Sequence, residues 1–115
     1  MAEQIPGKRE ISVGTNDTLN VAGDHTLRVG RNSSSTVQAN QSVTVQQDLA
    51  VSVGKHMVVN AQDSLELVCG DASILMKKDG TILIKGKDIT IQGSGKVNVK
   101  ASGDVVLRGS KVSQN

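Results

Sequence analysis

Three groups of side chains have the types and spacing that could do chemistry. His25 and His56 are possible metal ligands, Cys69 is the one thiol, and Asp71, Asp79 and Asp88 are possible paired carboxylates. Metal binding needs several converging ligands, and the two histidines stand singly, 31 residues apart, in polar connecting stretches. Threefold symmetry could turn one histidine into three only near an axis, so solvent-facing histidines are the expected reading. Glycan cleavage needs two carboxylates across one bond. Each aspartate here sits in a turn context, "GDAS", "KDGT" or "GKDIT", and no aromatic side chain exists to hold a sugar. Asp79-Gly80 therefore reads as a tight turn. Cys69 is expected to be a small buried hydrophobe, although symmetry copies could bring thiols together.

Lys77, Lys85, Lys100 and Arg108 each follow an aliphatic pair and form a loose outer column, with Asp79, Asp88 and Asp104 interleaved. This column could attract anionic headgroups, but a solvated surface is the simpler expectation.

The elements that would position these residues come from a repeat. Aliphatic pairs run Ile11/Val13, Leu19/Val21, Leu27/Val29, Ser35/Val37, Val43/Val45, Val51/Val53, Val59/Ala61 and Leu67/Cys69, always eight residues apart. One seven-residue step leads to Ile74/Met76, and eight more residues to Ile82/Ile84. A second seven-residue step reaches Ile89/Ile91, before Val97/Val99 and Val105/Leu107 return to eight. Ser35 is the polar exception, either a water or ion pocket or a tolerated defect.

Residues two apart share one face of a strand, and the β-branched bias agrees. Gly14, Gly30, Gly54 and Gly70 follow a pair directly, and Gly86, Gly93 and Gly109 come one residue later. They mark corners that need positive φ or close backbone approach. The chain thus reads as a β-solenoid or β-prism of very short strands. The GGxGxD pattern of calcium-binding nonapeptide helices is absent.

With no Phe, Tyr or Trp, the core must be a thin one of Val, Ile, Leu and Ala. A net charge of +2 leaves no strong nucleic-acid footprint. No apolar run reaches membrane-span length, "MAEQIPGK" lacks a signal-peptide core, and one cysteine excludes an intrachain disulfide. The chain reads as soluble and made in the cytoplasm.

Eight residues per face suit either one coiling chain or three intertwined ones. In a trimer all three sides shorten together at each seven-residue step, and every strand finds ladder partners on other chains. The trimer is therefore expected, with no stable monomer.

The hydrophobic-x-hydrophobic-Gly pattern of "ISVG", "LRVG" and "VSVG", followed by "CGDASILMKKDGTILIKG", resembles the C-terminal spike of the VgrG family of bacterial type VI secretion. It is similar in plan to the needle of contractile-phage central spike proteins. The resemblance implies an all-β fold, an intertwined homotrimeric triple-stranded β-helix (a β-prism needle with octad repeats) over residues 10–115. Residues 1–9 would be a linker or an artificial start.

It further implies a structural, non-enzymatic needle that pierces the target membrane. The needle would be made in the bacterial cytoplasm and then injected into a target cell. A PAAR-repeat cap and effectors would ride on its C-terminal tip, where Val105, Leu107, Arg108, Lys111 and Val112 are the expected cap-binding residues. Its other partners would be the secretion tube and base, with transient membrane contact and no nucleic acid. No catalytic residue, metal or cofactor is expected; the His-x-His pair with which some phage spikes hold iron is absent. The hub-like base and oligonucleotide-binding-type barrel of a full family member do not fit in 115 residues. Met1 is therefore expected to begin a truncated chain or a short spike-only relative. The competing reading is a tailspike-like β-helical glycan-binding or glycan-cleaving fragment. An ice-binding solenoid would need a regular threonine column, and Thr18, Thr26 and Thr44 are too scattered for one.

Overall fold

The computed structural model describes residues 3–115, so the expectation about Met1 lies outside the described residues. No described residue is helical, and the chain divides into two units, Met1–Leu49 and Ala50–Asn115.

The first unit consists of extended segments joined by corners at 6–7, 14–15, 22–23, 30–31, 38–39 and 46–47, a strict step of eight. From 14–15 onward each corner directly follows the second aliphatic residue of a pair, as the spacing predicts. The octad also reaches back to 6–7, inside the stretch read as a linker. The second unit continues the step with corners at 54–55 and 62–63.

The second unit then holds the strands: β1 (Ser64–Cys69), β2 (Ala72–Lys77) and β3 (Ile82–Lys85), in one antiparallel sheet of order β1-β2-β3. Cys69 pairs with Ala72 across a two-residue turn whose first residue, Gly70, has φ 56°. Positive φ at that position alone is the mark of a type II′ hairpin, whose twist matches that of its strands. The second reversal is longer. The Gly80 N–H donates to the Lys77 carbonyl at 3.1 Å, the Lys77 N–H donates to the Thr81 carbonyl at 2.9 Å, and Gly80 has φ 93°. This is a three-residue hairpin loop closed by a glycine bulge, and Asp79-Gly80 is the tight turn that the sequence suggests.

The meander corrects one expectation. The first seven-residue step is a chain reversal rather than a shortened prism corner, and the three rungs from Leu67 to Ile84 find ladder partners within their own chain.

Beyond the meander the corners change character. Up to Val53 the second member of each pair is the more shielded, 45–49% exposed against 64–77% for the first. From Ile89 onward the order inverts, with 54–62% for the first and 73–78% for the second. Corners now lie at 87–88, 94–95 and 102–103, just ahead of the first member. Ile89 and Val97 fold back onto Gly86 and Gly93, where a Cβ would stand 3.3 Å from Ile89 Cγ1 and 2.9 Å from Val97 Cγ2. Close approach thus explains these two glycines. Gly14, Gly30 and Gly54 mark corners with neither positive φ nor a close neighbour in the single chain.

Candidate functional site: a trimer interface of aliphatic rungs

Residues paired across a ladder share a face. One face of the meander therefore carries Leu65, Leu67 and Cys69, then Ala72, Ile74 and Met76, then Ile82 and Ile84, without a polar residue. The opposite face mixes Ser64, Glu66, Ser73, Lys77 and Lys85 with Val68, Leu75 and Leu83. Ile89, from the corner that follows, joins Leu67, Ile74 and Ile84 in lining a surface concavity.

Nothing in the described chain covers these aliphatic residues. No described residue is buried, and even the most shielded, Leu65, Ser73 and Leu75, are only partly covered. The chain exposes 13018 Å². A compact monomer of 12.0 kDa would expose about 6,000 Å², and three such chains in a compact trimer only about 13,000 Å² altogether. One chain alone thus exposes as much surface as a whole compact trimer of it would.

The backbone makes the same demand. Outside the strand ladders, the backbone hydrogen bonds of the described residues all lie between Asp63 and Thr81. The extended segments before and after them hold unpaired N–H and C=O groups, which need partners once the aliphatic face is buried. Strands from other chains can supply both the ladder and the cover.

Neither the histidines nor Asp71 and Asp79 converge. His25 and His56 are exposed, and no three of the described His, Cys, Asp and Glu residues form a metal-binding group. Asp71 and Asp79 occupy the turns at opposite ends of β2, about 20 Å apart at the usual strand rise. Paired glycosidase carboxylates stand only about 5–10 Å apart. Asp79 is also engaged structurally, because its Oδ1 accepts a hydrogen bond from the Thr81 N–H at 3.0 Å. That bond, supported by the Thr81 side chain, holds the carboxyl below its ordinary value. Cys69 is a free thiol that ends β1 on the apolar face and is exposed in the single chain, so its expected burial requires partner chains.

At the C-terminal end, Val105, Leu107, Arg108, Lys111 and Val112 are exposed in extended segments on either side of the corner at 109–110. They form no cluster with the meander. Leu65 and Ala72 are the face residues that the rung pattern misses. The signal for them was the Gly70-Asp71 dipeptide, which fixes Cys69 opposite Ala72 and so brings both residues onto the apolar side.

No curated protein matches the chain. The family model of the bacteriophage T4 gp5 C-terminal trimerisation domain matches residues 1–76, ending within β2. The uncovered aliphatic face and unpaired ladders call for partner chains, and a trimerisation family supplies them. The chain belongs to this family, whose members form homotrimeric β-helical needles of the type found in VgrG-like spikes.

Proposed function

We propose that the chain is the structural, non-enzymatic needle of a type VI secretion spike, assembled in the bacterial cytoplasm and injected into a target cell. A PAAR-type cap and its effectors sit on the tip formed by Val105, Leu107, Arg108, Lys111 and Val112, and the secretion tube and base hold the other end. The observation that supports this reading most is that a member of a trimerisation family buries nothing by itself. The apolar face of its rungs is free to join chains, and a narrow polar-walled needle is a mechanical part.

The test begins with light scattering over a range of dilutions, then titration of the trimer with a PAAR-repeat protein. The expected result is a trimer that survives dilution and binds one cap per trimer, with Lys111→Glu weakening the cap contact but not the trimer. A monomer at all concentrations would overturn the needle, and a stable trimer that ignores the cap would overturn the assignment of the tip.

The phage origin of the family description favours a second reading, in which the same needle serves a contractile phage tail. Release of the chain by living cells without virions supports the secretion spike. Its presence only in tailed particles supports the phage.

A further inference from the structure

The near-neutral total charge conceals a segregation along the chain. Residues 1–76 hold five basic and eight acidic side chains, a net −3, whereas residues 77–115 hold eight basic and three acidic ones, a net +5. In the homotrimer these become −9 and +15.

All eight C-terminal basic residues are exposed. None is in an ion pair, since the described residues form one salt bridge, Lys8 to Glu10. Their placement is also directional. Lys77 and Lys85 lie on the meander face opposite the apolar one, so covering the apolar side with partner chains leaves both ammonium groups outward. Lys96 precedes Val97 and Lys100 follows Val99, which sets them on the side away from their rung by the same alternation.

We infer that the outer wall of residues 77–115 is a binding surface for anionic phospholipid bilayers, with Lys77, Lys85, Lys96 and Lys100 on the headgroup phosphates. Phosphate oxygens are the acceptors that outward ammonium groups fit as point charges. Nucleic acid offers the same phosphates, but single-strand recognition relies on aromatic stacking platforms, and this chain has no aromatic residue. A surface of spread ammonium groups without stacking matches a plane of headgroups better than a strand of bases. Adsorption of this kind is electrostatic, strengthens about fivefold for each basic residue near the leaflet, and is screened within about 10 Å at ordinary salt.

The inference rests on the trimer and not on the cap or the type of machine. It is tested with the full-length trimer by co-sedimentation with vesicles of phosphatidylcholine alone or with about a third phosphatidylglycerol, at low and high salt. Trimer mass is checked for every variant. The expected result is binding only to the anionic vesicles, lost at high salt, and at least a hundredfold weaker for the combined variant K77Q/K85Q/K96Q/K100Q. The matched variant R9Q/R28Q/R31Q/K55Q removes the same charge from the other part of the chain and should bind like wild type. Equal losses in the two variants would show net charge alone at work and overturn the assignment, as would salt-independent binding to neutral vesicles. Tighter binding to a single-stranded oligonucleotide that strips the trimer from vesicles would reassign the surface to nucleic acid. A variant that no longer forms the trimer is replaced by the lysine-to-arginine version, which should retain binding.

Discussion

Val97 Cγ2 stands 2.9 Å from the point where a Cβ on Gly93 would lie, and the Lys96 carbonyl oxygen stands 3.0 Å from it. A branched side chain has taken the space that glycine leaves free, and backbone closes the other side. Gly93→Ala should therefore overpack the corner and cost about 1–3 kcal/mol per chain. Gly95, two residues on, has nothing within 4 Å and no positive φ. Gly95→Ala should be neutral or slightly stabilising. Thermal unfolding of the two trimers at one concentration checks both, and equal melting temperatures would refute the packed corner.

The two positive-φ glycines make a kinetic prediction. Gly70 and Gly80 close the hairpins of the stretch that pairs within its own chain. Short loops close first, before the encounters between chains that the other segments require. Gly70→Ala and Gly80→Ala should each cost about 1–2 kcal/mol through left-handed strain, mainly as slower refolding. Stopped-flow refolding and unfolding of the trimer separate the rates. Faster unfolding with unchanged refolding would place the meander late in assembly.

Asp79 predicts a pH dependence. The Thr81 N–H lowers the folded carboxyl below its ordinary value of 3.8. A depressed folded value stabilises the trimer above the unfolded value, and that contribution is lost as pH falls through the folded one. Stability should fall on acidification below about pH 4. Asp79→Asn keeps an oxygen for Thr81 but does not titrate, so it should flatten that part of the curve. An Asp79 titration at or above 3.8, followed by carboxyl chemical shift, would contradict the sign.

Ile74 lies between Leu67 and Ile84 in the centre of the apolar face, and Val68 lies on the other side. Ile74→Ala should cost about 2–5 kcal/mol per chain, and Ile74→Asp should leave no trimer by sedimentation. Val68→Thr should leave the mass unchanged. If Ile74→Asp still sediments as the wild-type trimer, the apolar face is not the interface.

The octad was legible because its corners recur in register with the pairs, from Val13 to Cys69. The meander was less so. An apolar-x-apolar triplet presents two side chains to one face whether its neighbour is an antiparallel strand of the same chain or a strand of another. Leu67/Cys69 and Ile74/Met76 therefore look like any other rungs, and only the seven-residue step and the Gly70-Asp71 turn distinguish them. The inverted shielding after Ile89 had no sequence signal beyond glycines arriving one residue late. The tip residues gave no signal of their own, because Val105 and Leu107 have the pattern of every preceding rung.

The lone backbones on either side of the meander carry a genetic consequence. A chain that completes its hydrogen bonding with sister copies cannot be repaired by them when it is faulty, since one faulty chain breaks the ladders of both its neighbours. In a cell making both wild-type and interface-defective copies, intact needles should decline as the cube of the wild-type share. Mutations in the rungs of this protein should therefore behave as dominant poisons, while changes confined to the outer lysines should be recessive.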